Sequence, residues 1–246
     1  MGRNDLFIVT TMAIGIKTFK KGLPRRNNAK AGFTLIEMLI VVAIFAVVAT
    51  TLLFNYSSFS TSVGVRNLSE QVGISIRKAQ SYATSVRSIS GSGGIMSDTF
   101  PAYGMAFSVG YTTQSLYDPT GSSFTLFTDV SPQNNTVTNN LFDNNGTCGN
   151  PMEGQECVEN FSITDGNKIV SLCTDSPSAN TCFTAAHPGK VNIVFHRPNP
   201  DAIICVVDQS GSCSSQLSSY LKITVQSLKG INRIITIWNT GQISVN

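Results

Sequence analysis

Charge is scarce in this chain. Of its 246 residues only 13% are Asp, Glu, Lys or Arg, while 41% are hydrophobic; a globular cytosolic protein carries about 25% charged residues. The length suits one compact domain plus a tail. Recognisable catalytic signatures are also lacking. There is no Gly-x-Ser-x-Gly, no phosphate-binding loop and no His-Glu-x-x-His. The two histidines, His187 and His196, have no spaced partner that would complete a triad. No Cys-x-x-Cys pair occurs, which argues against a zinc site; neither a metal nor another cofactor is expected. Basic charge is missing from most of the chain. Seven of the 17 Lys/Arg fall within residues 1–32 (Arg3, Lys17, Lys20, Lys21, Arg25, Arg26, Lys30), against the single acid Asp5, which leaves ten bases and thirteen acids for the rest. A nucleic-acid partner, which requires a basic face, is therefore not expected. After residue 200 the bases are only Lys222, Lys229 and Arg233, set against Asp201 and Asp208.

Directly after the basic stretch stands a long apolar run, Phe33 to Phe54, with one charge, Glu37. As a helix these 22 residues would measure about 33 Å, close to the hydrocarbon thickness of a bilayer. The preceding Lys/Arg cluster predicts a cytoplasmic N-terminus with everything after residue 55 exported. A secretory signal peptide cut within AVVAT (46–50) is the alternative, but the run is long for that purpose and a carboxylate has no use there. An acid at the centre of a membrane helix costs roughly 2.5–3.5 kcal/mol, and less near its end. Such a group needs a partner. A cut between Gly32 and Phe33 would create an α-ammonium four residues before Glu37 and remove all seven leading bases.

The string KAGFTLIEMLIVVAIFAVVATTLL resembles the N-terminal segment of type IV prepilins and type II secretion pseudopilins. The matching residues are Gly32, Phe33, Thr34, Leu35, Ile36 and Glu37, preceded by a basic leader and followed by an apolar helix. The resemblance implies cleavage after Gly32 by a prepilin peptidase and N-methylation of Phe33. It also implies a salt bridge from Glu37 to a neighbouring subunit's terminal amine during filament assembly. The leader is longer than is usual for the family; residues 6–16 are apolar but too short to span, and Met12 offers a second start.

A second helical pattern follows the run. The segment SSFSTS (57–62) is a poor helix former and is expected to form a break. Val65, Leu68, Val72, Ile76, Ala79, Ala83 and Val86 then recur every three or four residues, with Arg66, Glu70, Arg77, Lys78 and Arg87 elsewhere on the surface. SGSGG (90–94) ends the pattern. From residue 100 the signals are β: AYGMAFSV (102–109), KVNIVFH (190–196), IICVV (203–207), YLKITVQ (220–226), INRIITIW (231–238) and QISV (242–245). Lys229-Gly230 and Asn239-Thr240-Gly241 read as hairpin connections that make the last three strands a meander. Together with the stretch at 71–86, this meander is similar to the GspH/FimT-type minor pseudopilins.

The six cysteines, Cys148, Cys157, Cys173, Cys182, Cys205 and Cys213, all lie beyond the helices. Their spacing points to three local pairs, Cys148–Cys157, Cys173–Cys182 and Cys205–Cys213, in an oxidising compartment; free thiols are the alternative if the compartment is reducing. QNNTVTNNLFDNNGTCGN (133–150) reads as a long exposed loop. The expected fold is α+β. Residues 1–32 are a leader, 33–54 a membrane-spanning and assembly helix, 55–90 an amphipathic helix, and 91–246 a mostly antiparallel β head, as in pilins. By the resemblance, the partners are other pilin or pseudopilin subunits, prepilin peptidase, an inner-membrane assembly platform and the lipid bilayer. The location is the cytoplasmic membrane as a single-pass protein, then a pilus or pseudopilus. A structural subunit and a filament-borne binding module, for DNA uptake or adhesion, are the two functional classes; an enzyme is not expected.

Overall fold

The computed structural model describes residues 32–85, 101–110, 121–129, 139–142, 148, 156–176, 179–207, 211–213 and 218–246. The expected leader through residue 31, the stripe's last member Val86, Arg87 and the terminating SGSGG lie outside them. The chain divides into two units, Met1–Ala49 and Thr50–Asn246. One helix, α1 (Leu35–Thr84), contributes to both. The break expected at 57–62 does not occur, because these residues are helical. Ser and Thr cost roughly half a kcal/mol each against Ala inside a helix. Restarting a helix beyond a break would instead repeat the unfavourable nucleation step. The helix ends at Thr84, short of residue 90.

Ten strands follow. They are β1 (Ala102–Val109), β2 (Ser123–Asp129), β3 (Cys157–Ser162), β4 (Lys168–Ser176), β5 (Ala179–Thr184), β6 (Gly189–Phe195), β7 (Ala202–Val207), β8 (Tyr220–Gln226), β9 (Asn232–Trp238) and β10 (Ile243–Val245). They form two five-stranded sheets of order β3-β2-β1-β6-β7 and β10-β9-β8-β4-β5. Every pairing is antiparallel. The last three strands make the expected meander. Its second turn brings Gly241, at φ 78°, against Pro200. A Cβ at Gly241 would strike the Pro200 carbonyl oxygen, which already accepts a 2.8 Å bond from the Gln80 amide of α1.

The helical stripe packs as its spacing dictates. Val65, Leu68, Val72, Ile76, Ala79 and Ala83 are all buried, and they share one core with both sheets. β1 and β6 send Tyr103, Met105, Phe107, Val191, Ile193 and Phe195 into that core, and β8 and β9 send Leu221, Ile223, Val225, Ile235 and Ile237. Tyr82 of α1 meets Tyr103 edge-on with ring centroids 5.6 Å apart.

Strand β1 is buried along its whole length, so alternation reveals only one of its two covered faces. On the other side Ala102, Ala106, Phe127, Val194 and Phe142 form a second apolar cluster. Gly104 makes room there, since a Cβ would lie 2.6 Å from the Phe127 ring and 2.7 Å from the Ile193 carbonyl oxygen. Phe142 belongs to the Asn-rich segment expected to be an exposed loop. That expectation fails for residues 139–142, because Leu141 and Phe142 are buried. Asn140, at φ 60°, holds them in place. Its N–H donates to Asp129 Oδ2 at 2.7 Å, its carbonyl accepts from Asn192 Nδ2 at 3.4 Å, and its Oδ1 lies 2.7 Å from His196 Nε2. Asn tolerates this left-handed backbone better than other side chains, and its backbone and side-chain groups bond Asp129, Asn192 and His196.

Two isoleucines two positions apart test the phase of α1. Ile76 is fully buried whereas Ile74 is 64% exposed. Ile76→Ala should destabilise the head by about 2–5 kcal/mol, and Ile74→Ala by less than about 0.5 kcal/mol, in denaturant unfolding of the detergent-solubilised chain. Equal losses would contradict this packing.

Candidate processing and assembly site

Gly32, Phe33 and Thr34 precede α1 and are not helical. Thr34 is the N-cap. Its carbonyl accepts the Met38 N–H at 3.2 Å, and its Oγ1 accepts the Glu37 N–H at 3.3 Å. Glu37 thereby occupies the third helical position, where a carboxylate is favoured by the positive end of the helix dipole. The Thr-x-x-Glu spacing of a capping box is the sequence signal for this role of Thr34.

The site is open. Phe33 is 75% exposed, and a Cβ added at Gly32 would meet nothing within 4 Å. No described residue of this chain therefore demands glycine at position 32. Downstream, large apolar side chains from Leu35 to Phe59 stay exposed. None of the most apolar 18-residue window is buried, and the segment is long and apolar enough to cross a membrane. An exposed apolar surface of this extent marks a membrane or protein interaction site. Chemically, the arrangement places one carboxylate a single turn beyond the amine that a cut at Gly32–Phe33 would create.

In the head the cysteines are joined as Cys148–Cys157, Cys173–Cys182 and Cys205–Cys213, spanning 9, 9 and 8 residues. Cys173 and Cys182 face each other directly across β4 and β5. Cys213 forms a bridge with Val207 at the end of β7, which brings it beside Cys205. Each closure contributes about 2–3 kcal/mol on the chain-entropy model.

Two charged contacts tie distant segments together. Lys78, expected on a solvated helix surface, instead pairs with Glu159 of β3 and sits 5.7 Å from the centroids of the Tyr82 and Phe161 rings. The hydrogen bond that Lys78 donates to Glu159 raises the Lys78 pKa, outweighing the burial that lowers it. The pair remains partly exposed and contributes about 0.2–1 kcal/mol. Asp175, near the end of β4, accepts the N–H groups of Ser219 and Tyr220 at 2.7 and 3.0 Å. Burial pushes its carboxyl up, but the bonds from Ser219 and Tyr220 prevail and hold it below the ordinary carboxylate range. A depressed acid stabilises the fold fully above its unfolded pKa, here 3.8, and loses that contribution as pH falls through the lower folded value. The wild-type head should exceed Asp175→Ala in stability by a constant margin from about pH 7 to about pH 5, and the margin should shrink steadily at more acid pH. Unfolding midpoints against pH check this; a margin that grows on acidification would contradict it.

Residues 27–53 match the family model of the prokaryotic N-terminal methylation motif. The matched span contains Gly32, Phe33, Thr34 and Glu37 and most of the exposed apolar segment. No curated protein and no solved structure matches the chain. The upper half of α1, packed on two antiparallel sheets, gives the α+β layout of a pilin-like fold. The motif supports a prepilin-type chain, that is, a type IV pilin- or pseudopilin-like subunit, and implies processing by prepilin peptidase and assembly with other pilins.

Proposed function

We propose that this chain is a minor pilin or pseudopilin, a structural and assembly subunit of a type IV pilus or type II secretion pseudopilus, and a substrate of prepilin peptidase rather than an enzyme. The leader is removed after Gly32, Phe33 is N-methylated, and the subunit enters a filament through its N-terminal helix with the head outside the cytoplasmic membrane. The stretch at 71–86 and the β8–β10 meander favour the GspH/FimT-type minor pseudopilins within this class.

The carrying observation is the exposed Phe33-to-Glu37 turn at the head of an apolar helix whose large side chains stay exposed as far as Phe59. In the membrane the Glu37 carboxylate is disfavoured. In a bundle of such helices it can meet the terminal amine of a neighbour, and the low dielectric makes that attraction much stronger than in water. The apolar faces leave lipid for one another, while the ion pair is satisfied only at the correct axial offset. The carboxylate thus selects register, and the apolar surface supplies most of the contact. Removal of the seven-base leader is required first, because those charges would have to follow the helix into the bundle.

Glu37→Ala should insert into the membrane as well as wild type, since it removes a disfavoured group. It should be recovered with sheared filaments at least about tenfold less at matched membrane levels, because an amine buried without its partner costs about 3–5 kcal/mol. Equal recovery would show that Glu37 does not direct assembly.

A further inference from the structure

We infer that Thr34 is a positioning residue for leader removal: its cap starts α1 at Leu35, two residues beyond Phe33, and so presents the Gly32–Phe33 bond in non-helical form. The inference rests on the processing reading above and adds a determinant to it. The first carbonyl in the helical ladder is that of Thr34, bonded to Met38 N–H at 3.2 Å. The Gly32 carbonyl, two residues earlier, would be taken by the Ile36 N–H if the helix extended upstream. A carbonyl held in a helix is unavailable to a peptidase, which must polarise it and approach it from one face. The Thr34 Oγ1 bond to Glu37 N–H opposes that extension by satisfying a donor of the first turn where it stands.

The sequence upstream makes such a stop necessary. Ala29-Lys30-Ala31 are strong helix formers. The next side chain upstream that suits an N-cap is Asn28. With Thr34 lost, a helix capped at Asn28 would include the scissile bond. The surroundings of Gly32 point the same way. It is open to a side chain, with nothing within 4 Å of an added Cβ, so no described residue crowds this position. Access is therefore decided by backbone conformation, and Thr34 controls it.

The test is pulse-chase measurement of leader removal from the full chain in membranes containing a prepilin peptidase. Thr34→Ser keeps the acceptor oxygen and should be processed within about twofold of wild type. Thr34→Val keeps the shape but loses the acceptor, and should be processed about fivefold more slowly, the factor matching a cap worth about 1 kcal/mol. Adding Ala29→Gly and Lys30→Gly to Thr34→Val weakens the upstream helix and should restore most of the rate. A direct hydroxyl contact with the peptidase would show no such rescue, and that result would overturn the inference, as would equal rates for Thr34→Val and wild type. Wild-type chain that keeps its leader would overturn the processing reading itself and this inference with it.

Discussion

Large apolar side chains from Phe33 to Phe59 are exposed, and the rest of the account depends on that constraint. Buried apolar area is worth about 25 cal/mol per Å², so a helical surface of this extent is costly in water. It needs lipid before assembly and other helices afterwards. In the assembly proposed above, the single carboxylate at the start of this surface would give it a preferred register, non-directional burial supplying the magnitude and one charge the specificity.

The same helix is used differently at its other end. From Val65 to Ala83 it is amphipathic, with its stripe in the core of two sheets and its phase fixed by residues three or four apart. The head's loops have little apolar content of their own. They are held by three disulfides over short spans, by the Asn140 clasp beneath β1 and β6, and by Asp175 across the start of β8. Apolar burial builds the sheets, and directional bonds and covalent links fix the connections between them. Three disulfides suit an oxidising compartment.

Much of this was legible in the sequence where one simple period dominates. The helical stripe, β1 and the strands β6 to β10 follow from regular spacing. Strands β2 to β5 do not, for physical reasons. Extra residues at Val158 in β3 and Val170 in β4 break the register, so the alternation that marks a strand changes phase within each. β2 is covered on both faces, with Phe124 and Leu126 in one cluster and Phe127 in the other, so apolar residues do not mark a single face. β3 and β5 are edge strands with few large apolar residues, leaving little pattern to find. Leu141-Phe142 was hidden by the polar composition around it. The cysteine pairing followed from the shortest loops. The 57–62 helix was missed because weak local propensity was weighed without the long helical segments on either side. At the site, Gly32, Phe33, Thr34 and Glu37 stood out by resemblance, whereas the capping role of Thr34, which the Thr-x-x-Glu spacing signals, was established by its hydrogen bond to Glu37.

The central claim is that the chain is processed at Gly32–Phe33 and not elsewhere. Intact-mass and N-terminal analysis of the full chain, recovered from membranes with and without a prepilin peptidase, tests it most directly. With the peptidase the chain should begin at N-methylated Phe33. Without it, or as Gly32→Val, it should keep the leader while remaining folded, since the fold leaves space for a side chain at position 32. An intact leader on the wild-type chain in the presence of the peptidase, or a terminus within 46–50, would contradict the account.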